Sequence, residues 1–318
     1  MTRDVLWVNG RLIDPDSPAL SAYDRGVTVG DGVFETFTTW DGRPFALSRH
    51  LARMEQSLAD MRIGLSDALR QSVLTGIAAV VDQLRLQQQP HARVRVTVTA
   101  GPGPLGPSRP GALQHTVAVA AAGLPSPAGQ GSPASHSGGT GGIGGSGGRC
   151  HVVRSPFKRN AYSAIAGVKS TSYAENVVAL AHAREQGGDE ALLANTDNML
   201  CEGTSSNVFV ELDGSLLTPP LSSGCLAGVT RELVVLWGAQ AGLDVREAGP
   251  EDLPYTVLDQ VAQGQAHLAI TSAGRGVMPV TALDGVPLAP GPLSLRMGEV
   301  FASQKAQGLE LASQLVWD

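Results

Sequence analysis

Apolar and polar positions change rhythm several times along the chain, and each change marks an element. "VLWVNGRLI" sets Asn9-Gly10 between two apolar-rich runs, which predicts a tight hairpin. "GVFETFTTWDGRPFAL" repeats the pattern around Asp41-Gly42. "SRHLARMEQSLADMRI" puts Leu51, Met54, Leu58 and Met61 on one helical face, and "SDALRQSVLTGIAAVVDQL" predicts a second helix to about Leu84. "ARVRVTVTAG" and "QHTVAVAAAG" alternate or run apolar as strands do. Later, "CHVVRSP" reads as a short strand and a helix is expected near residues 173 to 186. "EALLANTDNMLCEGTSSNVFVELDGSLLTPPL" predicts three short strands turning at Asp197-Asn198 and Asp213-Gly214. "AGVTRELVVLWGAQAG" predicts a helix entered through a glycine turn, "AHLAITSAG" an apolar strand, and "LRMGEVFASQKAQGLELASQLV" a closing helix. Strands and helices mixed with many hairpins indicate an α+β chain.

Residues 125 to 148 break this rhythm. They are Gly, Ser, Pro and Ala with almost nothing to bury, as in a flexible linker. The expected organisation is an N-terminal α+β domain over 1–124, the linker over 125–148, and a C-terminal domain over 149–318. Gly139, Gly141 and Gly144 inside the linker satisfy G-x-G-x-x-G, but no apolar strand leads in and no helix pattern leaves, so the context for cradling a phosphate is missing. The net charge of −6 argues against a nucleic-acid surface. No apolar run is long enough to span a bilayer. The start, "MTRDVLWVNG", lacks the features of a secretory signal, so a cytoplasmic protein is expected. Cys150, Cys201 and Cys225 form neither a disulfide framework nor a metal spacing.

The chain carries 23 basic residues, and only Lys158, Lys169 and Lys305 are lysines. Arginine stays protonated in ordinary protein sites, whereas lysine can lose its proton and condense with a carbonyl. Lys169 in "GVKSTSYAEN" sits among small residues, and Ser172 and Glu175 have the S-x-x-E spacing of a capping box, which would set a helix dipole near the amine. Gly228, Val229 and Thr230 in "LAGVTREL" form a small-residue turn into a helix, the kind of end that binds phosphate. In "TSAGRG" a strand ends in Ser272, Ala273 and Gly274, which let a ligand approach the backbone. Glu202 in "LCEGTSSN" lies between apolar-rich runs, where it reads either as a strand-end charge in water or as a buried carboxylate that needs a cationic partner.

An aldehyde-capturing lysine, a phosphate cradle and a carboxylate for a pyridinium nitrogen are the needs of pyridoxal 5′-phosphate. The sequence resembles the class IV (fold type IV) pyridoxal-phosphate enzymes, which include branched-chain and D-amino-acid aminotransferases and 4-amino-4-deoxychorismate lyase. The resemblance rests on "YDRGVTVGDGVFET", "RHLARM", "VKSTSYAENVVAL", "EALLANTDNMLCEGTSSNVFV", "TPPLSSGCLAGVTREL" and "TSAGRGVMPV", in that order. It implies a two-domain fold, D-amino-acid aminotransferase-like, with an antiparallel sheet and helices, a barrel-like C-terminal domain, and the cofactor between the two. It implies Lys169 as the Schiff-base lysine, Glu202 facing the pyridine nitrogen, and Arg53 binding the phosphate. It also implies backbone contacts from Val229, Thr230, Ala273 and Gly274, and a contact from Tyr173 to the phenolic oxygen. The family often carries threonine where Gly274 stands.

The freed Lys169 amine would act as general base on the substrate Cα–H. Alternation puts Phe34, Thr36 and Thr38 on one strand face, where they would meet a small-molecule substrate. The branched-chain enzymes carry arginine where Thr38 stands. The D-amino-acid enzymes carry an arginine and a histidine in the loop matching "TAGPGPLG", which has neither. The resemblance therefore leans to the lyase, which forms 4-aminobenzoate and pyruvate, with an amino-acid aminotransferase as the alternative and a non-catalytic cofactor-binding relative as the remote one. It also implies a homodimer.

Overall fold

The computed structural model describes residues 4–124, 150–312 and 315–317. The linker segment and its glycine fingerprint lie outside them. The chain forms two compact units. The first comprises the described residues within Met1–Gln130, Val168–Tyr173 and Glu310–Asp318; the second comprises those within Gly131–Gly167 and Ala174–Leu309.

The first unit runs β1 (Val5–Val8), β2 (Arg11–Ile13), α1 (Arg25–Thr28), β3 (Gly32–Trp40), β4 (Arg43–Pro44), α2 (Leu47–Asp60), α3 (Asp67–Leu86), β5 (Ala92–Thr99) and β6 (Thr116–Gly123). Its six strands pair antiparallel in the order β2-β1-β6-β5-β3-β4. Asn9 and Gly10 have φ of 45° and 98°, and Asp41 and Gly42 have 50° and 68°. Two successive left-handed residues are what a two-residue hairpin loop requires. The core lies between the helices and one face of the sheet, where Val33, Phe37, Val94, Val96, Val98 and Val119 meet Leu51, Met54, Leu58, Val73, Ile77 and Val80. Ser66 caps α3, its side chain accepting from Leu69 N at 3.2 Å.

A buried arginine shapes the loop between β5 and β6. The Arg25 guanidinium donates to four carbonyls of that loop, Pro104, Gly106, Pro107 and Ser108, at 2.9–3.3 Å, and its Nε donates to Asp31 at 2.9 Å. Asp31 also receives Arg109, whose Nε lies 2.8 Å from it. Asp31 directly precedes β3, so the loop is tied to the start of that strand.

The second unit runs β7 (His151–Arg159), α4 (Ala174–Glu185), β8 (Glu190–Asn195), β9 (Leu200–Gly203), β10 (Asn207–Leu212), β11 (Ser215–Thr218), α5 (Val229–Gln240), β12 (Val245–Glu247), α6 (Val257–Ala262), β13 (His267–Ser272), β14 (Gly276–Pro279), β15 (Ala282–Leu283), β16 (Val286–Pro287) and α7 (Pro292–Ala306). Two five-stranded sheets form, in the orders β12-β11-β10-β13-β14 and β16-β15-β7-β8-β9.

Two expectations change here. The stretch 190–218 makes four strands rather than three, because Thr204–Ser206 separates β9 from β10 and sends them into different sheets. Buried Glu190 holds that break by accepting from Thr204 and Ser205. The closing helix ends at Ala306 rather than running to Val316. Gly308 takes φ 80°, and the chain then pairs Leu311 with Phe45 in the first unit.

No described side chain of α7 itself caps its start. Glu211 of β10 does so instead, accepting from Leu293 N at 3.1 Å and Ser294 N at 3.0 Å. A carboxylate at a helix start gains from both the free N–H groups and the dipole. Glu211→Ala is expected to lower unfolding free energy by about 2 kcal/mol, measured by urea denaturation, with the m-value unchanged.

Candidate active site

Residues 168–172 lie antiparallel against the start of β3. Phe34 N donates to the Lys169 carbonyl at 2.9 Å, Ser170 bridges Val33, and Thr171 N donates to Gly32 O at 2.8 Å. The Lys169 side chain is half-buried, with Nζ 4.5 Å from the Phe34 ring centroid and 5.9 Å from that of Tyr173. The two rings meet edge to face at 5.4 Å. The expected capping box does not form. α4 begins at Ala174, which leaves Ser172 outside the cap position, and its hydroxyl donates to Gly30 O at 3.2 Å. Glu175 instead receives Arg159 at 3.2 Å.

β3 alternates as strands must. Phe34, Thr36 and Thr38 share the sheet face opposite the helices, where their cross-strand neighbours on β5 are Thr97, Arg95 and Arg93. The Arg95 guanidinium stacks 3.6 Å from the Phe34 ring centroid. Val33, Glu35 and Phe37 turn toward the helices. Glu35 is 1 % exposed and grips Arg53 with both carboxylate oxygens, each at 2.7 Å, while His50 Nδ1 lies 2.7 Å from it. Burial pushes the Glu35 carboxyl up, but Arg53 and His50 outweigh it and hold the group far below the usual carboxylate range. Burial pushes His50 down, and the Arg53 and Lys169 charges add to that. Arg53 is thus oriented as a fixed fork.

In the second unit Glu202 on β9 is buried. It accepts from Leu226 N at 3.0 Å and lies 3.3 Å from Arg159 Nε. α5 starts at Val229 with Gly228 as its N-cap, and no described side chain caps it. A Cβ on Gly228 would lie 1.9 Å from Asn207 Oδ1, so only glycine fits this turn. Val229 and Thr230 are buried at the helix start. Arg231, next along, turns away to Pro219 O at 2.8 Å and Glu247 at 2.5 Å. Thr271 stands opposite Asn207 on β13, with its hydroxyl buried and without a hydrogen-bond partner among the described residues. Ala273 and Gly274 form the turn between β13 and β14, half-buried and exposed respectively.

An uncapped helix start, a turn that excludes any side chain and an orphaned buried hydroxyl together suit a phosphorylated ligand. The three cysteines are buried, and burial pushes Cys150 up to about 12 and Cys225 up to about 11. Among the described residues no cluster of His, Cys, Asp and Glu could hold a metal ion, and no helix is long and apolar enough to cross a membrane.

The family model for amino-transferase class IV matches residues 32–283. The chain belongs to the class IV aminotransferases. This family depends on pyridoxal 5′-phosphate. Over 281 residues the chain is 30% identical to a Methanocaldococcus jannaschii protein named "Putative branched-chain-amino-acid aminotransferase", covering 88% of each. It is 28% identical to D-alanine aminotransferase of Bacillus licheniformis over 90% of this chain and 92% of that one. Against aminodeoxychorismate lyase of Bacillus subtilis the identity is 27%, over 85% and 92%. Among solved structures, a branched-chain amino acid aminotransferase from Escherichia coli superposes with a TM-score of 0.76 at 21% identity, covering 99% of this chain and 98% of that one. That likeness supports the two-domain α+β fold of this class IV aminotransferase.

Sequence reasoning missed Glu35, His50 and Arg95. The first two lie on the core side of β3 and of α2, and "FETFT" with "RHLAR" carries their types but not their pairing. Arg95 was legible in principle, as the alternating charge in "ARVRV".

Proposed function

We propose that this class IV aminotransferase acts on a polar, carboxylate-bearing amino compound, and that its reaction is the lyase type, releasing pyruvate and 4-aminobenzoate from aminodeoxychorismate. The observation that carries this is the chemistry of the sheet face beside Lys169. Thr36, Thr38 and Thr97 offer hydroxyls there, and Arg93 and Arg95 offer guanidinium groups. A carboxylate-bearing substrate suits that cationic, hydroxyl-rich face, whereas an aliphatic side chain gains no charge-assisted hydrogen bond there.

In this reading Lys169 anchors pyridoxal 5′-phosphate, and Arg53 with the backbone N–H groups of Val229, Thr230, Ala273 and Gly274 hold its phosphate. Glu202 keeps a proton on the ring nitrogen, and Tyr173 contacts the phenolic oxygen. The bound cofactor supplies an electron sink for charge developing at the substrate Cα. Lys169 Nζ removes and returns the proton at that carbon. Arg95 binds a substrate carboxylate, with Thr36 and Thr38 donating hydrogen bonds and Phe34 flanking the amine. The proposal includes a homodimer, which the resemblance implies.

A second reading, transamination of an amino acid with a keto acid, is favoured by the relatives named aminotransferases at 30% and 28% identity. One assay separates the two. Aminodeoxychorismate alone is expected to yield 4-aminobenzoate. Turnover that appears only when an amino-acid and keto-acid pair is supplied would overturn the lyase reading in favour of the transaminase.

A further inference from the structure

The segment Ser272–Gly276 joins β13 to β14, and two of its three inner residues, Ala273 and Gly274, have no side-chain anchors of their own. Its shape is set by Arg275. The Arg275 backbone N–H donates to Ser272 O at 3.2 Å and to Ser272 Oγ at 3.3 Å, closing the turn. The Arg275 side chain is 8% exposed, and its Nη1 donates to Glu190 Oε1 at 2.9 Å. Glu190 is fully buried. The same carboxylate accepts from the hydroxyls of Thr204 and Ser205 and from Ser205 N at 3.1 Å. Those two residues follow Gly203, the last residue of β9, which carries Glu202. One buried carboxylate therefore ties the 272–276 turn to the end of the strand bearing Glu202.

We infer that Arg275 is a positioning residue, whose ion pair with Glu190 presets the Ala273–Gly274 backbone for the cofactor's phosphate. This rests on the reading of that turn as phosphate-binding. Alanine and glycine offer a phosphate only N–H groups, whose directions depend entirely on how the backbone is held. A guanidinium locked to a buried carboxylate supplies that restraint, because both partners lose too much if separated.

The test compares pyridoxal 5′-phosphate with pyridoxal, which lacks the phosphate, in absorbance titrations of the cofactor-free full-length protein. The wild type should bind the phosphorylated form more tightly. Arg275→Lys keeps a cation beside Glu190 but loses the planar fork. It should cut that phosphate advantage by about tenfold, the worth of one charge-assisted hydrogen bond, while pyridoxal affinity stays within about twofold. Should Arg275→Lys fold poorly, the paired variant Glu190→Gln with Arg275→Met removes both charges together and should show the same selective loss. An undiminished phosphate advantage, or pyridoxal affinity falling in step, overturns the inference. A wild type that does not distinguish the two ligands overturns instead the reading of the turn as phosphate-binding, and the inference with it.

Discussion

Replacing Lys169 with alanine is expected to lower kcat by at least about a thousandfold under saturating cofactor and substrate. Lys169→Arg should fail as badly, although it keeps the charge and nearly the length, because a guanidinium does not give up its proton. Neither change should disturb the fold. The strand-like placement of 169–171 is made by backbone hydrogen bonds to Gly32 and Phe34, which any side chain permits. Thermal unfolding of both variants should stay close to wild type. Borohydride reduction of the cofactor-loaded wild type, followed by peptide mapping, should put the label on Lys169. The other two lysines are built-in controls. Lys158 bonds Asn198 Oδ1 at 2.5 Å, and burial pulls the Lys305 amine down to about 8, making it the stronger competitor for an aldehyde. Label on Lys305, or a Lys169→Ala variant within tenfold of wild type, would remove the basis of the proposed chemistry.

The second large effect concerns stability. Glu35→Ala leaves Arg53 and His50 facing a buried space without their carboxylate. Breaking one partner of a buried ion pair costs about 3–5 kcal/mol, and guanidinium denaturation should register a loss of that size. The pH dependence follows from the directions of the shifts. Glu35 is held far below its unfolded value of about 4.3, and His50 below about 6.5. In both cases the unfolded chain binds the extra proton, so stability rises with pH across each window. Their contributions are complete above about pH 6.5 and fade as the pH falls, first through the His50 window and then through that of Glu35. The wild type should therefore lose stability more steeply than Glu35→Ala only below about pH 4, in the window of Glu35, because His50 stays buried and depressed in both proteins. Parallel slopes would mean that the buried pair carries no such linkage.

Much of the architecture was legible in the residues because local rules governed it. Asn9-Gly10 and Asp41-Gly42 dictated their own backbone angles, and the apolar stripe of α2 and the alternation of β3 could be read directly. What escaped reading depended on partners distant in sequence. "LCEGTSSNVFV" looks continuous, and it breaks after Gly203 because Glu190, more than ten residues earlier, draws Thr204 and Ser205 inward. Ser172 and Glu175 have the spacing of a capping box, but Gly30 and Arg159 compete for them. In the candidate site, residue types pointed to Lys169 and Glu202, and the family resemblance to Arg53. They could not reveal that Arg53 is held by Glu35, which His50 bonds in turn, because a carboxylate on the core side of a strand makes sense only once the helix above it is known.

Arg25 reads the loop after β5 entirely through main-chain oxygens. Such recognition is blind to side chains. Positions 104 to 108 can therefore drift in evolution, or be randomised in a library, while their path through space is conserved. New specificity can be written there without renegotiating the fold, so long as the guanidinium beneath it stays.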